Sequence, residues 1–289
     1  MRLGFAGLGL MGEPMAARLR HAGQDLTVYN RSAPPRARLA ALGANAVDTP
    51  KALFAACDAI ILMLRDDAAA DFVLGRADAS LGDRVAGKLI INMGTHAPGY
   101  SRALETEIHA GGGAFVEAPV SGSRGPAERG TLVAMLAGDA EAVERSRPLL
   151  APMCREMRVI GPVPSATAMK LAVNLYLIAT IASLAEAANL AVAMGVNLAL
   201  FQEIIRSGPL RSDVAMAKLD KMVRRDFSPE AAIKDVCKNA ALVSEAAAAA
   251  GADAVLLDRS RQLFEAVIDD GGGALDMAAV STVFRNHAR

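Results

Sequence analysis

Short apolar runs alternate with helical stretches along the first half of the chain. Arg2-Leu3-Gly4-Phe5-Ala6 predicts a buried strand, residues 15–22 a helix, and Leu26-Thr27-Val28-Tyr29 a second strand. Further apolar runs at 59–63, 89–92, 115–117 and 133–136 predict more strands. Continuous rather than alternating apolar strands, separated by helices, point to a mostly parallel sheet covered on both faces.

The pattern changes after Gly161-Pro162-Val163-Pro164. Residues 166–194 are rich in Ala, Leu and Ile and free of Gly and Pro, which predicts one long buried helix. Helices are expected at 198–206, 214–224, 229–250 and 254–267. Pro229 suits a first helical turn, and Gly251 and Gly271-Gly272-Gly273 are natural stops. The expected fold is therefore a doubly wound α/β domain over residues 1–161. An all-α domain over 162–289 follows, entered by the long helix.

Composition narrows the class. A length of 289 residues suits two domains at about 150 residues each. Lys plus Arg and Asp plus Glu both number 31, a balance that argues against nucleic-acid partners, which demand a basic excess. Cys57, Cys154 and Cys237 lie far apart, as do His21, His96, His109 and His287. Neither a metal site nor a disulfide framework is expected, and a reducing, cytoplasmic compartment fits. The N-terminus lacks a leader pattern, and no apolar run reaches about 18 uninterrupted residues, so no membrane association is expected.

Candidate chemistry begins at Gly7-Leu8-Gly9-Leu10-Met11-Gly12, a GxGxxG that follows the first strand and opens the first helix. The first glycine permits the tight turn and the second lets a pyrophosphate approach the backbone. The third allows close helix–strand packing, with phosphate charge meeting free amides at the helix N-terminus. That context marks a Rossmann-type dinucleotide site. About 18 residues on, where NAD-binding folds usually carry an acid, the chain has Asn30-Arg31-Ser32. A carboxylate repels a 2′-phosphate whereas a guanidinium holds it, so the reading favours NADP(H) over NAD(H).

These residues resemble a known family. Gly7-Leu8-Gly9-Leu10-Met11-Gly12-Glu13-Pro14-Met15-Ala16 is similar to the opening signature of the β-hydroxyacid dehydrogenases, the 3-hydroxyisobutyrate dehydrogenase-like enzymes. Glu117-Ala118-Pro119-Val120-Ser121-Gly122-Ser123 resembles their substrate segment, and Met169-Lys170-Leu171 with Asn174 their catalytic helix. Ser123 and Pro126-Ala127-Glu128 look most like the glyoxylate/succinic semialdehyde reductase branch.

The resemblance implies Lys170 as proton donor, with Ser121, Gly122 and Ser123 on the substrate carboxylate and Asn174 orienting the substrate. It implies that Met63, Leu64 and Thr95 line the cofactor and that a later lysine reaches it. Gap-free counting puts that lysine at Lys238, before Asn239, although Lys234-Asp235 spells the family's dipeptide better. It also implies a homodimer or homotetramer. Independently of the family, Lys170 and Asn174 share a helix face at i,i+4, and Lys170 sits among apolar neighbours that lower an amine pKa. Pro164 and Ala166 stand where glycines are common, Gly94 where a serine is usual, and Asn239 where an aspartate is usual.

The implied function is NADPH-dependent reduction of a small carboxylate-bearing aldehyde or 2-oxoacid. Two rivals are an imine reductase or reductive aminase and a non-catalytic NADP-binding module. Both types typically lack the lysine that this chain has.

Overall fold

The computed structural model describes residues 1–287, which fall into two compact units, Met1–Lys170 and the described residues from Leu171 onward. The first is organised around β1 (Leu3–Ala6), whose four residues are all buried. The other strands are β2 (Leu26–Tyr29), β3 (Asn45–Val47), β4 (Ala59–Leu62), β5 (Leu89–Asn92), β6 (Ala114–Glu117), β7 (Val120–Ser121), β8 (Leu132–Gly138) and β9 (Cys154–Gly161). They form one sheet in the order β3-β2-β1-β4-β5-β6-β8-β7, with β9 also on β8. Pairing is parallel from β3 to β6, antiparallel where β8 meets β6 and β7, and parallel again between β8 and β9.

Helices α1 (Gly12–His21), α2 (Ala33–Ala41), α3 (Pro50–Ala56), α4 (Asp67–Leu74), α5 (Leu81–Val85), α6 (Pro98–Ala110), α7 (Arg124–Arg129) and α8 (Ala140–Leu150) complete this unit. Every residue of β1, β2, β4 and β5 is buried, and nearly all are apolar, Thr27 and Asn92 being polar, because helices cover both faces, as expected for parallel strands. The sequence pattern left out β3, β7 and β9. β3 is largely exposed and β7 has only two residues. β9 turns Arg155, Glu156, Arg158 and Val159 to solvent, so none of the three shows a continuous apolar run.

α9 (Ser165–Ala193) begins in the first unit and continues in the second. The second unit adds α10 (Leu198–Ser207), α11 (Asp213–Arg224), α12 (Ile233–Ala250), α13 (Val255–Asp269) and a run of 3-10 turns, Met277–His287. Leu171, Ile178, Ile181 and Ala185 pack with Leu219, Met222, Ile233 and Phe264 in its core. The long helix is not wholly buried as its composition predicts: Tyr176, Leu190 and Val192 are exposed. By length and composition alone it is apolar enough to cross a membrane, which an uninterrupted-run criterion misses.

α12 starts at Ile233 rather than at Pro229. The intervening backbone is claimed by Asp276, whose carboxylate accepts the N–H of Glu230 and of Ala231 at 2.9 and 3.1 Å. Ile233 N–H then bonds Leu275 O, closing a short antiparallel contact. Asp276 also meets the Lys218 ammonium at 2.9 and 3.0 Å, both side chains being buried. Gly251, at φ +68°, ends α12 as expected.

Candidate active site

The fingerprint loop joins the C-terminal end of β1 to α1, beside the point where strand order reverses between β1 and β4. In open α/β sheets that crevice is where ligands bind. The three glycines have distinct jobs. A Cβ on Gly7, at φ +98°, would lie 2.2 Å from Met63 O, and one on Gly12 would lie 1.8 Å from Gly7 O. Both positions are closed by backbone. A Cβ on Gly9 meets nothing within 4 Å, so Gly9 faces open space, as a pyrophosphate cradle requires. These residues fit a dinucleotide.

Asn30, at the end of β2, accepts the Leu8 N–H on Oδ1 at 3.0 Å and donates from Nδ2 to Ser32 Oγ at 2.8 Å. It therefore ties the β2 end to the loop. A cavity of about 610 Å³ opens here, lined by Gly9, Leu10, Asn30, Ser32, Arg38 and Arg124 among others. Arg31 is exposed and does not line it among the described residues. Arg38 holds Glu13, in the first turn of α1, in a two-point contact at 2.5 and 2.7 Å.

Met63 and Leu64, after β4, are half-buried, as is Thr95 after β5. Met63 N–H bonds Ala6 O at 2.9 Å, so the loop after β4 is anchored to β1. Ser121 pairs with Val133 across β7 and β8, Gly122 adopts φ +132°, and Ser123 precedes α7.

Lys170 lies in the second turn of α9. It is half-buried, and among the described residues its ammonium has no hydrogen-bond or ion-pair partner. Burial lowers its pKa from the usual 10.5 to about 8. One turn on, Asn174 is buried, and its Nδ2 has no partner among the described residues. Lys238 is half-buried on α12 whereas Lys234 is exposed. The first unit thus brings together the fingerprint loop, Asn30–Ser32, Met63, Leu64 and Thr95 at one end of its sheet. Asn174 and Lys238 belong to the second unit.

Sequence reasoning missed the role of Glu117. Buried at the end of β6, its carboxylate accepts the N–H of Ala166 at 3.1 Å and of Thr167 at 3.2 Å, and the Thr167 hydroxyl at 2.6 Å. Ser101 Oγ donates to it as well. The acid of the substrate segment is the N-terminal cap of the helix that carries Lys170. An acid in the otherwise apolar Phe115-Val116-Glu117-Ala118 run was the available signal.

A glycine-cradled dinucleotide loop, and a partly desolvated lysine set on a capped helix, define a dinucleotide-dependent oxidoreductase. Residues 2–161 match the family model for the NAD-binding domain of 6-phosphogluconate dehydrogenase. Residues 165–284 match the family model described as NAD-binding of NADP-dependent 3-hydroxyisobutyrate dehydrogenase. The chain belongs to the β-hydroxyacid dehydrogenase family.

It is 31% identical to glyoxylate/succinic semialdehyde reductase 2, chloroplastic, of Arabidopsis thaliana, over 96% of this chain and 78% of that one. It is 29% identical to the 2-hydroxy-3-oxopropionate reductase of Escherichia coli strain K12, over 97% and 96%. Its fold matches the crystal structure of 3-hydroxyisobutyrate dehydrogenase from Salmonella typhimurium with a TM-score of 0.89. The identity there is 24%, over 98% of this chain and 99% of that one.

Proposed function

We propose that the protein is an NADPH-dependent reductase of a small carboxylate-bearing aldehyde or 2-oxoacid, of the glyoxylate or succinic semialdehyde type. The observation that carries this reading is Lys170, a cation with no counter-ion among the described residues, whose pKa of about 8 lies close to working pH. A bound reduced nicotinamide supplies hydride to the carbonyl carbon. Lys170 gives its proton to the carbonyl oxygen, so the product is the hydroxyacid and the lysine is left as the neutral amine. Ser121, Gly122 and Ser123 bind the substrate carboxylate through hydroxyls and amides, and Asn174 orients the substrate beside Lys170. The fingerprint loop, Asn30, Arg31, Ser32, Met63, Leu64, Thr95 and Lys238 hold the cofactor, with Arg31 favouring a 2′-phosphate.

The relatives named above support the substrate class, since two are reductases of oxo-acids or semialdehydes. The exposed Leu190, Met194, Leu200, Ile204, Val255 and Leu256 of the helical unit support a homodimer or homotetramer. The free cysteines suit a reducing, cytoplasmic setting.

The test is a kinetic panel of glyoxylate, succinic semialdehyde and tartronate semialdehyde with NADPH and NADH, and of 3-hydroxyisobutyrate in the reverse direction with NADP+ and NAD+, on wild type and Lys170→Ala. Turnover of one of these with NADPH, abolished in the variant while NADPH binding persists, is expected. Near-wild-type turnover in Lys170→Ala would overturn the mechanism. Light scattering that reports a monomer at micromolar concentration would overturn the assembly.

A further inference from the structure

His96 stands next to Thr95 in the loop after β5, and its side chain is 1% exposed. Its Nδ1 faces Asp67 Oδ1 at 2.5 Å. Its ring stacks on Tyr100, with centroids 5.0 Å apart and planes 23° from parallel. Tyr100 is itself held, donating its hydroxyl to Asp71 Oδ1 at 2.7 Å beneath the Arg76 guanidinium, 5.2 Å from the ring centre. Arg76 in turn bridges Asp71 and Glu107. One edge and one face of the imidazole are therefore fixed by groups that are themselves fixed.

The remaining polar atom, Nε2, is buried and has no hydrogen-bond partner among the described residues. Buried polar atoms are nearly always paired, so an orphan on a ring this firmly oriented calls for an explanation. Nε2 lies 2.6 Å from where a Cβ on Gly94 would stand, and Leu64 O and Asn92 Oδ1 lie 2.9 and 3.2 Å from the same point. The atom thus sits at the junction of the loops after β4 and β5. A dinucleotide laid across β1 places its adenosine half on the β2 side and its nicotinamide half on the β4–β5 side. The same geometry accounts for Gly94: a serine there would collide with the imidazole, which brings a nitrogen to the place of the missing hydroxyl.

We propose that His96 binds the nicotinamide nucleoside half of the cofactor. Asp67 accepts the Nδ1–H and so fixes the tautomer, leaving the Nε2 lone pair to accept from a ribose hydroxyl or the carboxamide N–H. Asp67 is a positioning residue acting through His96. This rests on the dinucleotide reading above, but on neither the NADPH preference nor the substrate.

The test compares wild type with His96→Phe, which keeps the ring and the stack but removes both nitrogens. Kd is measured for NADPH and NADH by fluorescence titration and for 2′,5′-ADP and ADP by calorimetry; Tm is measured without ligand. The expected result is a rise of about 10-fold in Kd for the preferred dinucleotide, equivalent to about 1.4 kcal/mol. Affinity for the adenosine fragments and the Tm stay at wild-type values. Asp67→Ala, at a position half open to solvent, carries the test if His96→Phe does not fold; a loss of at least about threefold is expected, with Asp67→Asn restoring affinity because its amide oxygen still accepts the Nδ1–H. An unchanged dinucleotide Kd overturns the proposal. So does an equal weakening of the fragments accompanied by a lower Tm, which marks a structural role. A wild type that binds neither dinucleotide overturns this proposal and the dinucleotide reading together.

Discussion

Glu117 and Thr167 are joined twice: the threonine donates both its backbone N–H, at 3.2 Å, and its hydroxyl, at 2.6 Å, to the one carboxylate. Because Lys170 follows three residues later on the same helix, the end of β6 sets where the lysine begins its reach. A carboxylate at a helix N-terminus also meets the positive end of the helix dipole. Glu117→Ala strands the Ala166 and Thr167 amides in a buried site, at an expected cost of about 2–4 kcal/mol. Urea denaturation should show that loss. Turnover should fall further than the fraction of folded protein does, and a variant with wild-type stability would contradict the capping role.

Lys170 gives the reaction a pH signature. With a pKa near 8, the ammonium that the proposed mechanism uses for reduction is lost above that pH, so kcat/KM for reduction should decline from about pH 8 upward. The reverse oxidation needs the amine and should rise toward the same pH. A lysine at the usual 10.5 would leave both profiles flat through pH 9, and observing that would remove the desolvated-lysine argument.

Stability carries the same signature in the opposite sense from a salt-bridged lysine. The folded state binds fewer protons at position 170 than the unfolded chain does between about pH 8 and 10.5. Folding therefore strengthens as pH rises through that window. Wild type should gain stability relative to Lys170→Met between pH 8 and 10.5, and parallel curves would show that the lysine is solvated.

Arg31 is exposed at the end of β2, where a guanidinium can close on a phosphate without first breaking a buried contact. Arg31→Ala should raise the Kd for NADPH by about 10–100-fold, the worth of a charge-assisted hydrogen-bond pair. NADH affinity should move by no more than about twofold. Equal loss for both cofactors would assign phosphate recognition elsewhere, with Arg38 and Arg124 on the cavity wall as the next residues to substitute.

In the helical unit, Asp276 serves Lys218 and three backbone N–H groups at once, the third being that of Ala278 at 3.0 Å. Asp276→Ala leaves those donors unpaired and the buried Lys218 ammonium with only the longer 4.0 Å contact to Glu230, and should cost about 3–5 kcal/mol. Lys218→Met should cost less, because the carboxylate keeps its amide donors. Denaturant melts rank the two, and the reverse order would show that the ion pair outweighs the amide contacts.

What the sequence makes legible follows burial. Strands β1, β2, β4 and β5 are buried throughout and almost wholly apolar, so they stand out as runs, whereas β3 and β9 are largely exposed and look like loops. The fingerprint can be read because all its parts lie within one strand–turn–helix. Glu117 cannot be read in the same way, since the amides it caps come 49 and 50 residues later. His96 and Asp67 are 29 residues apart, and neither looks unusual until the fold stacks one ring on another. The late start of α12 has the same origin: Asp276, 46 residues beyond Glu230, takes the backbone that Pro229 seemed to offer to a helix.

An exchange at Asn30 would change the charge of the nucleotide pocket more than its shape. Its Oδ1 already plays the acceptor toward Leu8 N–H, a part that an aspartate oxygen fills without moving the loop. Only the Nδ2 contacts to Ser32 would be forfeited. Asparagine and aspartate codons differ by a single base. The scaffold thus stands one point mutation away from carrying the acid that NAD-binding folds use to hold ribose hydroxyls. A lineage under pressure to switch its reductant pool has a short path open to it, along which the turn of the chain is preserved while the electrostatics of the nucleotide pocket are rewritten.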